Sequence, residues 1–228
     1  MFLRLFFPLF CIGCGKIGKT LCSSCLIRLQ PIKKDACPYC YKLSCWGKVH
    51  DWCKRENGLD GARAALYYND IGKKIVKQIK YALAYRVFYD VVKEIPEHWW
   101  RIHDFIKEMR GDIVFQPIPL FPQREKIRGF NQARLIAQFL SKKTGFPSHE
   151  YLIRIKNTTP QAMLKKRSDR YINIHNAFRT KEKADVCGKT IILVDDVFTT
   201  GSTAKEAAHE LKKNGAARVY LYTLAHGL

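Results

Sequence analysis

The chain has 228 residues, 47% of them hydrophobic, which suffices for one good-sized domain, or one domain plus a small module. Its 40 Lys and Arg outweigh 20 Asp and Glu to leave a formal charge of +20, so the expected partners are anionic: nucleic acid, phosphorylated small molecules or an anionic membrane surface. Nine cysteines without a cleavable signal peptide argue against an oxidised secreted fold and for metal-bound thiols in a reducing, cytoplasmic setting.

The first ten residues are apolar but too few to span a bilayer. They either pack on the protein or lie in a membrane interface, where Phe2, Phe6, Phe7 and Phe10 beside Arg4 would make a peripheral contact with the inner membrane. Eight cysteines follow: Cys11-x-x-Cys14, Cys22-x-x-Cys25 and Cys37-x-x-Cys40, then Cys45 and Cys53. Eight thiolates suffice for two tetrahedral Zn²⁺ ions. A sequential grouping sets Cys11, Cys14, Cys22 and Cys25 on one ion and Cys37, Cys40, Cys45 and Cys53 on the other. An interleaved grouping, one zinc with spare thiols, and His50 as a substitute ligand stay open on spacing alone. Gly13 to Thr20 satisfies the P-loop pattern, but it contains a knuckle cysteine and lacks the strand and helix that a phosphate loop needs. Residues 54–61 are polar and glycine-bearing and read as a linker, so the expected division is 1–57 for the cysteine module and 58–228 for the main domain.

Ala62 to Tyr68 reads as a strand, and Ile71 to Tyr81 as a helix with Ile75, Ile79 and Leu83 on one face and Lys73, Lys74, Lys77 and Lys80 crowding it. Those lysines read as a solvated face or as a phosphate-tracking one. Trp99 to Met109 reads as packed helix. Asp112 to Leu120 is a second buried strand with a proline-marked exit, and Arg124, Lys126 and Arg128 follow it, a concentration of cations suited to pyrophosphate. Ala133 to Lys143 is a helix. Residues 150–180 form a long basic connection, read as a mobile lid or as a strand-holding surface, with Lys165, Lys166, Arg167 and Arg170 on a nucleic-acid backbone and Tyr171 stacking on a base. Residues 120–190 hold sixteen Lys or Arg against five Asp or Glu. Arg218 to Leu224 closes the series as a strand after a helix stopped at Gly215. Alternating strands and helices predict an α/β fold with a parallel sheet and a site at the carboxyl ends of its strands.

The chemistry concentrates in Thr190 to Thr203. An apolar run ends in Asp195 and Asp196; a loop of Thr199, Thr200, Gly201, Ser202 and Thr203 leads into a helix. The loop presents backbone N–H groups, hydroxyls and a helix N-terminus to one point, which suits a phosphate. The acids repel phosphate and suit the vicinal hydroxyls of a ribose, directly or with Mg²⁺ nearby. Val194 to Thr203 resembles the phosphoribosyl pyrophosphate (PRPP) signature of type I phosphoribosyltransferases. That resemblance implies that Asp195 and Asp196 hold the ribose and, if the domain is active, serve catalysis. It also implies PRPP contacts along Val197, Thr199, Thr200, Gly201, Ser202 and Thr203, with Arg128 on the pyrophosphate.

The cysteine module, Pro117-Ile118-Pro119 with Arg128-Gly129-Phe130-Asn131-Gln132, Thr159-Pro160-Gln161 with Arg167, Asn173 and Ala177-Phe178, and the signature together resemble the ComF-type competence proteins. The resemblance covers nearly the whole chain. It implies a small zinc-ribbon module before a type I phosphoribosyltransferase-like domain, in a cytoplasmic protein that handles incoming single-stranded DNA alongside other competence proteins near the inner membrane. Arg124, Lys126, Lys165, Lys166, Arg167 and Arg170 are then DNA-binding candidates, and zinc, magnesium and PRPP the expected ligands. The stretched Cys45…Cys53 pair departs from the family pattern and bears on the second zinc. The competing reading is an active phosphoribosyltransferase acting on a nucleobase, for which no base-binding hood is visible after Thr203. A third is a nucleic-acid adaptor that retains PRPP as a leftover or regulatory ligand.

Overall fold

A computed structural model describes residues 9–80, 84–107, 109–159 and 167–227. Its elements in chain order are α1 (Ser23–Arg28), β1 (Gly61–Tyr67), α2 (Asp70–Ile79), α3 (Ala84–Glu94), α4 (Glu97–Trp100) and α5 (Ile102–Lys107). Then come β2 (Ile113–Pro117), α6 (Pro122–Arg128), α7 (Gln132–Thr144), β3 (Leu152–Arg154), α8 (Arg167–Ile174), β4 (Phe178–Thr180), β5 (Thr190–Phe198), α9 (Ser202–Lys213) and β6 (Arg218–His226).

The main sheet has the order β1-β6-β5-β2, and every pair in it is parallel. Parallel strands are covered on both faces and so read as continuous apolar runs. In β5, Ile192 and Val194 face one core with Phe115, Ile136 and Tyr222, while Ile191 and Leu193 face the other with Ala207, Leu211 and Phe178. That alternation is the two-residue period of a strand. With the strand register fixed, β5 and β2 deliver their carboxyl ends, and the loops after them, to one rim.

The cysteine module is joined to this sheet. Cys11 and Cys25 are buried in the core beneath α2 and α3. Residues 30–32 run antiparallel along β1, with Tyr67 N–H donating to Gln30 O and Ile32 N–H to Ala65 O. This covers a sheet edge that would otherwise leave backbone groups unpaired. Asp35 forms a buried ion pair with Arg63 of β1 at 2.9 Å and a second with Arg101 at 3.2 Å. The expected linker is a fixed bridge: Gly58 and Leu59 are buried, and Asp60 accepts from Lys212 and from the Val219 N–H. Its glycines signal close approach to the protein surface rather than slack.

The basic connection also differs from a plain lid. β3 and β4 pair antiparallel. The Gln116 side-chain Oε1 accepts from the backbone N–H groups of Tyr151 and Leu152, and Glu206 and Glu210 of α9 accept from the Asn176 and Thr180 N–H groups. Strands of three residues leave no periodic signal. Residues 160–166, including Lys165 and Lys166, lie outside the described residues, as do residues 1–8 with Phe2, Arg4, Phe6 and Phe7, and the side chains of Arg167 and Tyr171. Among the described residues no helix is long and apolar enough to cross a membrane.

Candidate functional site

β5 carries Asp195 and Asp196 to the rim and ends at Phe198. The chain turns through Thr199 and Thr200 and enters α9 at Gly201, which has φ 70°. A Cβ at Gly201 would lie 2.4 Å from the Phe198 ring, so glycine is required both by conformation and by space. The Thr200 and Ser202 hydroxyls are 3.0 Å apart, and Lys205 donates to Thr200 O at 2.9 Å, closing the loop around the helix N-terminus. Twelve helical residues stand behind this turn, so its N–H groups carry the positive end of a full helix dipole.

The loop borders a cavity of about 300 Å³. Asp195, Asp196, Arg124, Arg128, Arg154 and Arg170 line it together with the loop. Gly129 (φ 82°) ends α6 and Asn131 caps α7 while its amide donates to Ile118 O. The Arg-Gly-Phe-Asn-Gln motif is thus the tight joint that aims Arg124 and Arg128 back at β5. Arg154, at the end of β3, is buried; it donates to the Thr158 hydroxyl and its Nε has no partner. Arg124 donates to Thr158 O and Arg128 to the Gln132 side chain. Among the described residues no carboxylate is ion-paired with Arg124, Arg128 or Arg154. Burial and the charge of Arg124 bring Arg154 down to about 10, and burial with Arg128 beside it lowers Arg124. The charge of Asp195 works the other way and favours the Arg154 cation.

The acids face the opposite condition. Burial and the charge of Asp196 push Asp195 up to about 8, although its Oδ1 accepts the Asp196 N–H at 2.8 Å. Asp196 is buried and pairs with Lys80 at 2.9 Å. Burial works against the Lys80 charge, but the attraction of Asp196 prevails and holds its pKa above the usual value. Lys80 and Arg154 were not singled out as site residues by sequence. Lys80 stood at the end of a lysine-rich helix as one of four; Arg154 opened a run of charged and polar residues. The signal for Lys80 is position: Lys73, Lys74 and Lys77 are exposed, whereas Lys80 follows the last core residue of the helix, Ile79.

Of the DNA-binding candidates, Arg124 and Arg170 turn into the cavity, and Lys126 is exposed on α6. A second cavity, of about 460 Å³, opens beside the first and shares Tyr68, Arg170, Thr199 and Thr200 with it.

The cysteines form two groups whose ligand atoms all lie within 4.8 Å of one another. Cys11, Cys14, Cys22 and Cys25 make the first, in the sequential grouping. Two of its sulfur–sulfur distances are 3.6 and 3.7 Å. A tetrahedral zinc with arms of about 2.3 Å sets thiolates roughly 3.8 Å apart, so this group can hold zinc. Burial works against the Cys11 thiolate, but N–H donation from Cys22, Cys14 and Gly13 prevails and draws it down to about 6, whereas burial and the neighbouring thiols push Cys25 up to about 12. A cation among the sulfurs would let all four ionise.

The second group is Cys37, Cys40, His50 and Cys53, which corrects the expected place of Cys45. Cys45 is exposed, because the chain after it turns through left-handed Trp46 (φ 57°) and Gly47 (φ 67°) to pack against β1. His50 Nε2 lies 3.0 Å from Leu43 O, which only accepts, so Nε2 carries the proton and Nδ1 presents its lone pair to Cys40 Sγ at 3.3 Å. His50-x-x-Cys53 repeats the knuckle spacing, and that was the available signal. The Gly13 to Thr20 segment forms knuckle and turn, as its context implied, and opens no helix.

Comparison with known proteins fits this arrangement. A phosphoribosyl transferase domain model matches residues 136–228. Competence protein ComFC of Bacillus subtilis is 31% identical over 220 residues, covering 92% of this chain and 85% of that protein. The chain belongs to the ComF family of competence proteins. Competence protein ComFC of Streptococcus pneumoniae is 28% identical, covering 94% of this ComF chain and 98% of its own length. DNA utilization protein YhgH of Escherichia coli K12 is 40% identical over 112 residues, 49% of this ComF chain and 48% of its own.

Proposed function

We propose that this ComF protein binds PRPP in the first cavity and uses that pocket, together with its basic surface, to handle single-stranded DNA in natural transformation. The observation that carries the PRPP reading is the pairing of unlike groups in one cavity: the guanidinium groups of Arg124, Arg128 and Arg154, none ion-paired with a carboxylate among the described residues, line it together with a phosphate loop and two carboxylates. PRPP needs those three things: cations for the pyrophosphate, acids for the ribose hydroxyls, and a helix N-terminus for the 5′-phosphate. Asp195 and Asp196 would hold the ribose, Val197 and Thr199 to Thr203 the 5′-phosphate end, and Arg124, Arg128 and Arg154 the pyrophosphate. Among the described residues the pocket offers two carboxylates, one paired with Lys80, so magnesium would arrive on the pyrophosphate oxygens rather than in a protein cage.

Lys126, Lys165, Lys166 and Arg167 remain the candidates for the DNA backbone. The +20 charge supports this. The names of the relatives support the competence role. Zinc in both clusters would be structural: each group already has four protein ligands, and none is left for a catalytic water. Residues 1–57 act as the module that these ions fold, and 58–228 as the phosphoribosyltransferase-like domain. The N-terminal apolar run is proposed as a peripheral membrane contact.

The experiment measures pyrophosphate release from PRPP with and without single-stranded DNA, and transformation in an Asp195→Ala, Asp196→Ala variant. Release accelerated by a nucleobase would favour the enzyme reading. Transformation at the parental frequency in the double variant would end the claim that the pocket serves competence. Single-stranded DNA should bind with a steep salt dependence; no binding at low salt would remove that partner.

A further inference from the structure

The second cavity is unlike the first. Its lining is Tyr41, Tyr68, Arg170, Thr199, Thr200 and Gly227. Tyr68 stands just beyond β1, Gly227 just beyond β6, and the threonines belong to the phosphate loop. Tyr41 comes from the cysteine module, 159 positions away in sequence from Thr200, whose carbonyl accepts from its hydroxyl at 3.5 Å.

Tyr41 holds an unusual backbone position. The two knuckles repeat the same hydrogen bonds: Cys11 N–H to Lys16 O and Gly15 N–H to Cys11 O in the first, Cys37 N–H to Lys42 O and Tyr41 N–H to Cys37 O in the second. The residue after the second cysteine is therefore equivalent in both. In the first knuckle it is Gly15 at φ 77°; in the second it is Tyr41 at φ 60°. Glycine meets this conformation freely, and a bulky side chain adopts it only under strain. The second knuckle tolerates that strain and sets a phenol ring against the phosphate loop.

We propose that this aromatic half is a nucleobase subsite, walled by Tyr41 and Tyr68 and continuous with the half read above as a PRPP pocket, on which reading its pairing with PRPP rests. Two phenol rings offer faces for stacking. The Thr199 and Thr200 side chains and the Arg170 guanidinium offer a polar edge. A flat heteroaromatic ring uses both features; an aliphatic chain would gain nothing from the polar edge. In this arrangement the zinc module supplies the wall that the segment after Thr203 does not, and the polar and aromatic halves meet at four shared residues. The base can come free or as part of a single strand.

The test uses zinc-loaded full-length protein and 2-aminopurine, both as the free base and placed within a short oligothymidylate, read by fluorescence. Stacking of one base on an aromatic side chain contributes about 1–3 kcal/mol. Tyr41→Leu and Tyr68→Leu should each lower affinity for one of the two probes about tenfold, and Tyr41→Phe and Tyr68→Phe should retain it. Retention in the phenylalanine variants ties the loss to the ring rather than to bulk. Dependence on the tyrosines with the free base assigns the subsite to a small-molecule acceptor; dependence with the oligonucleotide alone assigns it to a strand. Wild-type protein that binds neither probe, or leucine variants that bind as wild type does, would overturn the proposal. PRPP is titrated in parallel. Failure of PRPP to bind while tyrosine-dependent base binding persists would defeat the reading of the polar half and leave the base subsite standing.

Discussion

Asp195→Asn should make the ligand-free protein more stable in alkaline solution while weakening its pocket. Asp195 is raised from an ordinary 3.8 to about 8 by burial and by Asp196. A carboxyl group whose folded pKa is raised contributes stability fully below its unfolded pKa, and that contribution is lost as pH rises through the folded pKa, here from about 4 to about 8. At about 1.4 kcal/mol for each pH unit, the ceiling is on the order of 5 kcal/mol. Asp195 keeps some contact with solvent, and the effective dielectric of real sites is high, so about 2 kcal/mol is the expected gain. Asparagine stays neutral and its Oδ1 can still accept the Asp196 N–H. Urea unfolding of parent and variant at matched pH and zinc between pH 5 and 9 reads the difference. The gap should be smallest at pH 5, widen up to about pH 8 and level off above it. A variant that is less stable at pH 9, or displaced equally at every pH, would refute the reasoning.

Three other substitutions test separate parts of the site. Arg154→Met removes a buried cation with an unpartnered Nε, and charge-assisted hydrogen bonds contribute about 1.5–3 kcal/mol, so PRPP affinity should fall about ten- to a hundredfold by calorimetry. His50→Ala should reduce zinc from two to one per chain by elemental analysis, whereas Cys45→Ser should leave the count unchanged. Gly201→Ala places a methyl group on the Phe198 ring at positive φ; it should lower stability by more than about 1 kcal/mol and abolish PRPP binding.

The main sheet was legible because parallel strands are apolar on both faces; the unbroken apolar run Ile191 to Val194 marks β5. The phosphate loop was legible because strand, acids, small residues and helix follow one another without a gap. Residues that reach the site from elsewhere in the chain were harder to see. Arg154 arrives on a three-residue strand held by Gln116, and nothing in the local sequence distinguishes it from the cations around it. Lys80 belongs to the site only because α2 stops where β5 delivers Asp196. His50 stood open as a substitute ligand, and its knuckle spacing to Cys53 is the local feature that favours it over Cys45. Tyr41 was invisible as a wall of the pocket, because its place depends on how the module docks on the sheet.

The central claim is that both halves of the polar cavity hold one molecule. Calorimetric titration of PRPP, pyrophosphate and ribose 5-phosphate into the same zinc-loaded protein tests it directly. The account predicts that all three compete and that PRPP binds at least tenfold more tightly than either fragment, because it alone spans the arginines, the acids and the phosphate loop. PRPP that fails to bind, or binds no more tightly than pyrophosphate, would contradict it.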